Sequence, residues 1–432
     1  MYMSINIINR GNNFTIENPF RALKNLFYFY FWFFQGISLI GNWVDYTLRQ
    51  WLINIIFPNP NLASQFTGNF NLIRFLPSVI FSFISGIIID RLGYRKVLII
   101  IQFIDFLNAC FITYLVYTNK INGIYLLILG FIGGITMSFY FPARSTLIKN
   151  IIQEKDLTSA FSLQGLTFNL SRIVGPIFAA FLAKKFGLYI GFLFNTISFL
   201  PLILLLIFSK NLAEIEHNNK NNNKNDKKEK KDAIVKEIKR IVKYIYNNKL
   251  IFKSFINIAV INFLGLSLLA LLQVFTKDVL KGNISNFSWI LSLLGIGAII
   301  GAIFVASFNS NFVVNFSEEI VMFLYGALFL VISFIPNYIY YFIPFVGFFQ
   351  ALIFGISNNR VQIVTDSSYI SKVISLYSLL NLSLGFLGAF VLGNIAYFVG
   401  LLNVYKIFSF FIILFSIFIF FYHKKNLKGI VV

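Results

Sequence analysis

The sequence is poor in the residues from which soluble catalytic and metal sites are built. Cys110 is the single cysteine among 432 residues, so no disulfide can close within the chain. The two histidines, His217 and His423, stand in a polar central segment and near the C-terminus. No metal-ligand cluster and no nucleophile-histidine pair results, so no metal, no cofactor and no enzymatic activity are expected. A Gly-x-x-x-x-Gly-Lys-[Ser/Thr] loop is also missing, which argues against ATP coupling within this chain. Ahead of Leu26 there is no basic start, short apolar run and small-residue cleavage site, so insertion is expected to rest on the helices themselves. Charged residues make up only 12%, and acids are few: 16 Asp and Glu against 36 Lys and Arg, a net charge of +20.

What remains is apolar. With 58% hydrophobic residues and a mean hydropathy of +0.77, the chain cannot hide its apolar surface in one soluble core, and it reads as a polytopic membrane protein. Segments long enough to cross about 30 Å of hydrocarbon at about 1.5 Å per residue fall near 26–55, 65–89, 97–118, 123–146, 159–183 and 187–208. Six more fall near 251–276, 286–308, 318–336, 338–359, 371–399 and 402–422. Twelve spans put both termini on one side. The basic residues favour that side as cytoplasmic: Arg91, Arg95, Lys96, Arg144, Lys149 and Lys155 sit in its turns, while Lys120, Lys184, Lys185, Lys277 and Lys281 fall in outer loops. Insertion topology thus accounts for the positive charge, and no nucleic-acid partner is expected.

The expected organisation is a cytoplasmic N-terminal segment 1–25, six helices over 26–208, a cytoplasmic linker 209–250, six helices over 251–423 and a tail 424–432. The linker holds a low-complexity run of Asn, Lys and Glu that cannot bury enough apolar surface to fold. From Ile234 onward, Ile238, Ile241, Val242 and Ile245 recur at helical spacing opposite Lys236, Lys239, Arg240 and Lys243, predicting a basic amphipathic helix along the inner membrane face. The two halves also echo each other at an offset of 213 residues (175 to 388, 187 to 400): Ser162-Leu163 matches Ser375-Leu376, Gly175 matches Gly388, and Gly187-Leu188 matches Gly400-Leu401. Parallel six-helix repeats around a central cavity are one plan for transporters.

Between the second and third spans lies the run Gly86-Ile-Ile-Ile-Asp90-Arg91-Leu-Gly93-Tyr-Arg95-Lys96. Its spacing resembles the loop 2-3 signature of the major facilitator superfamily of secondary transporters. Arg74-Phe-Leu-Pro77, Pro142-Ala-Arg144, Ser171-Arg172-Ile-Val-Gly175-Pro176, Asn359-Arg360-Val-Gln362 and Lys372-Val-Ile-Ser375-Leu-Tyr377 look like the branch of enterobactin exporters and macrolide efflux proteins. The fourth-span arginine of many drug antiporters is absent, with Leu126 and Leu129 in its place, and Ala179-Ala180 replace an expected glycine pair. The resemblance implies an all-α fold of twelve transmembrane helices in two six-helix bundles. It further implies a monomeric inner-membrane exporter of an amphiphilic small molecule, exchanged for protons. A lysolipid flippase of the same fold, or a non-transporting membrane scaffold, are the alternatives.

Several constellations carry that expectation. In the loop 2-3 cluster, Gly86 permits close helix approach, Gly93 a sharp turn, and Asp90 accepts from a neighbouring helix N-terminus, which the resemblance implies is that of the eleventh span. Arg91, Arg95 and Lys96 then pair with acids or carbonyls of the first half, with Arg144, Arg360 and the Gly175-Pro176 break completing a conformational gate. Within the spans lie Asp45, Arg49, Arg74, Asp105 and Arg172, each costly at a helix centre. Asp45 and Arg49 share a face at i, i+4, with Arg74 at a similar height, whereas Asp105 has no height-matched cation and is the better candidate for carrying a proton. Arg172 is open to an anionic substrate or to a carboxylate or carbonyl partner. If the family's cavity is lined by spans 1, 4, 7 and 10, then Gln35, Asn42, Asn262, Gln273 and Gln350 are its polar groups. Loop 8-9, the counterpart of loop 2-3, carries Glu318-Glu319 and no basic cluster, so a latch is expected in the first half alone.

Overall fold

The computed structural model describes residues 18–209, 231–367 and 369–427. The low-complexity part of the linker, with His217, and the outermost residues of both termini lie outside the described residues. The first half comprises α1 (Leu26–Ile56), α2 (Pro60–Leu92), α3 (Tyr94–Tyr117), α4 (Gly123–Ile151), α5 (Leu157–Phe186) and α6 (Leu188–Phe208). The linker helix α7 (Lys231–Asn247) leads into α8 (Lys249–Val279), a span interrupted by π-helical stretches at Ile261–Leu266 and Phe275–Val279. Then follow α9 (Ile284–Ala306), the short α10 (Ser310–Asn315), α11 (Glu318–Phe334), α12 (Ile339–Val364), α13 (Ile370–Val399) and α14 (Leu401–Leu427).

Local chemistry sets many of these limits. Asparagine side chains accept from the first free N–H groups at the starts of α1, α2, α4, α8, α9 and α10, through Asn25, Asn59, Asn122, Asn248, Asn283 and Asn309. At three helix ends a glycine takes φ near +90°, a region closed to most side chains: Gly93 (95°), Gly187 (94°) and Gly400 (85°). The last two are the repeat partners seen in the sequence, and they make the same turn between consecutive helices. Gly175 and Gly388 are equivalent as well. A Cβ on Gly175 would lie 2.3 Å from Trp43 Cβ of α1, and one on Gly388 would lie 2.0 Å from the Phe263 carbonyl of α8, so each seats its helix on the first helix of its own half.

Twelve long helices pack as two groups, α1 to α6 and α8 to α14 without α10. Among the described residues, nine are long and apolar enough to cross a bilayer, ten when the two pieces of α2, bent by 60°, are counted as one span. The remaining two depart for local reasons: α11 has 17 residues, and α1 is diluted by Tyr, Trp and amide side chains. Phe103, Phe111, Ile303, Phe398 and Phe418 point outward, a surface suited to lipid tails rather than water.

One end of the bundle, here the linker end, holds the α2–α3, α4–α5 and α12–α13 turns. α7 does more there than lie along a membrane. Ile241 and Ile245 are buried, Tyr244 stacks on Tyr369 at 4.4 Å and donates to Asp366 Oδ2 at 3.0 Å, and Arg240 lies over the Tyr369 ring. Burial pushes the Tyr244 phenol above its ordinary value, so its hydroxyl keeps the proton that bonds Asp366. The linker helix is thereby fastened to the second half, at the α12–α13 turn.

Candidate functional site

The halves meet along two main seams, α2 against α13 and α5 against α9. Towards the far end the α2–α13 crossing is tight: a Cβ on Gly68 would lie 2.7 Å from the Ala389 carbonyl, and one on Gly393 2.5 Å from that of Ser64. Gln65 Nε2 donates to Asn394 Oδ1 at 3.2 Å, and nearer mid-span Phe75 stacks on Phe386 at 4.1 Å. α1 and α8 add a third closure there. Asn54 Nδ2 donates to the Gln273 carbonyl at 2.9 Å, Gln273 Nε2 to Thr67 Oγ1 at 2.8 Å, and Lys277 Nζ to the Asn54 carbonyl.

Below this closure a cavity of about 480 Å³ opens between the halves. Asn169 and Arg172 of α5 form one wall; Ala298 and Ala302 of α9, Gln350, Phe354 and Asn358 of α12, and Tyr377, Ser378 and Asn381 of α13 form the others. Arg172 lies at the middle of α5, whereas Asn358 and Tyr377 lie towards the linker end. The cavity therefore spans from mid-membrane to that end while the far end is shut.

The lining differs from the expected set of helices. Gln350 and Arg172 do reach the cavity. Asn262 is fully buried and donates to the Ile258 carbonyl and to Asn381 Oδ1 at 2.9 Å, so it ties α8 to α13. Gln273 belongs to the far-end closure, because α8 leans on α1 and α2 there. Gln35 is buried with its amide atoms unpartnered, and Asn42 is exposed; neither lines this cavity.

The membrane charges sort cleanly. Arg49 Nε pairs with Asp45 Oδ2 at 2.7 Å along one face of α1, and its Nη2 reaches Asn108 Oδ1 at 3.4 Å. Arg74 is instead packed among aromatic rings, 5.5 Å from Tyr46, 6.0 Å from Phe70 and 5.6 Å from Phe75, where ring faces attract a cation. Asp105 accepts from Thr136 Oγ1 at 2.6 Å and, among the described residues, has no cation within ion-pair distance. Arg172 forms neither a hydrogen bond nor an ion pair with the described residues. A charge at the centre of a span costs about 2.5–3.5 kcal/mol on insertion scales, so an uncompensated one calls for a use.

At the linker end Asp90 is exposed in the last turns of α2, and Gly93 makes the turn into α3. Gly86, expected to allow helix approach, has no atom within 4 Å of a Cβ built on it, because the linker end of α2 stands away from its neighbours here. Arg95 caps the end of α6, donating to the Leu206 and Ile207 carbonyls at 2.9 and 2.8 Å, whereas Arg91 and Lys96 face outward. Arg144 stacks on Tyr140 and Phe141. α5 runs unbroken through Gly175 and Pro176, so the expected break is a packing contact with α1.

The second half holds a buried charge cluster of its own, built on the Glu318-Glu319 pair of loop 8-9. Arg360, fully buried, pairs with Glu318 at 2.8 Å and donates to the Val313 and Phe316 carbonyls, holding α10 against α12. Lys253 of α8 pairs with Glu319 at 2.9 Å, and Asn257 Nδ2 bridges both glutamates at 3.0 and 3.1 Å. Lys253 and Asn257 went unnoticed in the sequence because nothing near Glu318-Glu319 along the chain points to them.

Comparison with solved structures agrees with this architecture. A bacterial homologue of the human lysosomal transporter Spinster, inward-facing, aligns with a TM-score of 0.65 at 12% identity over 92% of this chain and 96% of its own. An inward-facing bacterial homologue of the iron transporter ferroportin gives 0.66 at 16% over 91% and 98%, and a D-xylose-proton symporter gives 0.65 at 12% over 91% and 97%. At such identities the likeness is one of fold. No curated protein matches the chain in sequence. The family described as transmembrane secretion effector matches residues 17–428. Two helical bundles, a cavity between them and a family match over nearly the whole length lead to one conclusion: the chain belongs to the transmembrane secretion effector family of the major facilitator superfamily, and it is a membrane transporter rather than an enzyme.

Proposed function

We propose that the protein is a monomeric secondary exporter of the inner (plasma) membrane that moves an amphiphilic small molecule, drug- or siderophore-like, outward in exchange for protons. The observation that carries this reading is the cavity between the halves, shut at the far end and reaching the linker end. The distribution of Lys and Arg supports a cytoplasmic linker end, from which the substrate loads. Rocking of the halves about the α2–α13 and α5–α9 seams then exchanges the closures. Asp90 and Gly93, with Arg91, Arg95, Lys96 and Arg144 around them, bias that exchange. Asp105, half-buried and without an ion-pair partner among the described residues, is the proton-carrying group. The resemblance to enterobactin exporters and macrolide efflux proteins supports the substrate class. Proteoliposomes with an imposed pH gradient test it: gradient-driven movement of at least one of a panel of dyes, macrolides and siderophores is expected, and none moving overturns it.

One observation favours a second reading, movement of lysolipids. An apolar groove of about 490 Å³ opens sideways between α7, α8 and α13, lined by Val242, Tyr246, Phe255, Ala259, Leu379 and Ser383 among others. Movement of lysolipid in the same vesicles, with the rest of the panel static, would select this reading.

A further inference from the structure

We infer that the central cavity selects an anionic amphiphile, with the negatively charged group seated on Arg172. This rests on the exporter reading above and narrows it to one charge class. The contrast among the arginines carries the argument. Arg49 has Asp45, Arg360 has Glu318, Arg95 has two carbonyls, and Arg74 and Arg144 have aromatic rings. Arg172 has none of these among the described residues, and unlike Arg91, which is exposed at the end of α2, it faces a cavity. Among the described residues no Asp or Glu lines that cavity; the titratable groups near the guanidinium are the phenols of Tyr46 and Tyr325. Arginine does not lose its proton in a protein, so the charge persists through the transport cycle.

Two of the neighbouring polar groups can donate. Asn381 Oδ1 is taken by Asn262 Nδ2, which leaves the Asn381 NH₂ to donate into the cavity. Tyr377 carries a buried hydroxyl on the cavity wall, close to Ser357. The Gln350 Oε1, buried and unpartnered, and the oxygen of Asn169, whose NH₂ donates to the Gly165 carbonyl, are acceptors fit for an N–H or O–H on the body of the ligand. Phe354, Ala298, Ala302 and Ala351 give the rest of the wall an apolar surface. A planar guanidinium matches a carboxylate with two parallel bonds, and the volume lies in the range of small-molecule sites. Lipophilic cations are repelled by the same charge.

The test uses the full-length protein, purified and reconstituted, with three probes that share an apolar body: pyrenebutyrate, its primary amide and a pyrenebutyl-trimethylammonium salt. The carboxylate is expected to bind at least about tenfold tighter than the amide, and the ammonium probe weakest. Arg172→Gln is expected to abolish the preference for the carboxylate, and Arg172→Lys to keep part of it. Thermal melting of each variant checks that the fold survives, and Gln350→Ala serves as a cavity variant that retains the charge and so should keep the preference. Equal binding of the three probes, or a preference that survives Arg172→Gln, overturns the inference while leaving export intact. Gradient-driven movement of the amide alone does the same; absence of both binding and movement for every probe, together with failure of the wider panel, overturns the exporter reading itself.

Discussion

Arg360 and Glu318 form an ion pair at 2.8 Å with neither side chain reaching solvent, at the end of the bundle where the second half is pinned together. Removing one partner strands the other charge in a dry site. Arg360→Gln is therefore expected to destabilise the second half by about 3–5 kcal/mol, visible as a lower melting temperature of the purified protein. Arg360→Met combined with Glu318→Leu should cost less than either single change. Equal melting of Arg360→Gln and the parent protein would refute the structural role of the pair.

The Gln65–Asn394 contact joins the halves near the far end. In a Cys110→Ser background, Gln65→Cys with Asn394→Cys should form a cross-link under oxidation that stops transport, with recovery on reduction. Transport at the normal rate by the fully cross-linked protein would show that this seam does not open.

Asp90→Asn should lower turnover more than substrate affinity, because Asp90 lies outside the cavity and acts on the balance between conformations. Transport rates and binding constants measured on correctly inserted protein decide the point. Unchanged turnover would sink the latch role.

Asp105→Asn should remove the dependence of transport on the pH gradient while leaving binding within about twofold, since the carboxylate is hydrogen-bonded to Thr136 and does not line the cavity. A variant that still concentrates substrate against its gradient at the parent's rate would exclude Asp105 as the proton carrier.

Deleting residues 218–232 should leave transport intact, because α7 is anchored downstream by Tyr244, Asp366 and Tyr369. Tyr244→Phe combined with Asp366→Ala should loosen α7 and raise its proteolytic cleavage by several-fold. Loss of a bound partner with intact transport in the deletion would instead favour a scaffold role for the linker.

Much of this was legible along the chain. Hydropathy marked the spans, the offset of 213 residues matched Gly187 to Gly400, and i, i+4 spacing brought Asp45 to Arg49. Where sequence reasoning fell short, the missing term was distance in space. Gln273 and Asn262 look like cavity amides in a one-dimensional reading, yet each is consumed by a helix distant in sequence: Thr67 and Asn54 for the first, Asn381 for the second. Gly175-Pro176 reads as a break, but α5 is continuous through it and Gly175 packs on Trp43.

The sequence by itself determined the membrane class, the helices, the turns at Gly93, Gly187 and Gly400 and the two-fold internal repeat, because these follow from apolar length, backbone freedom and local spacing. Only the tertiary structure decided which charges are satisfied. Glu318 finds Arg360 and Glu319 finds Lys253 across helices, while Arg172 finds no partner among the described residues and faces a cavity bounded by α5, α9, α12 and α13. Whether a buried charge is a strut or a binding group depends on what lies within a few ångströms of it, and that is fixed by packing.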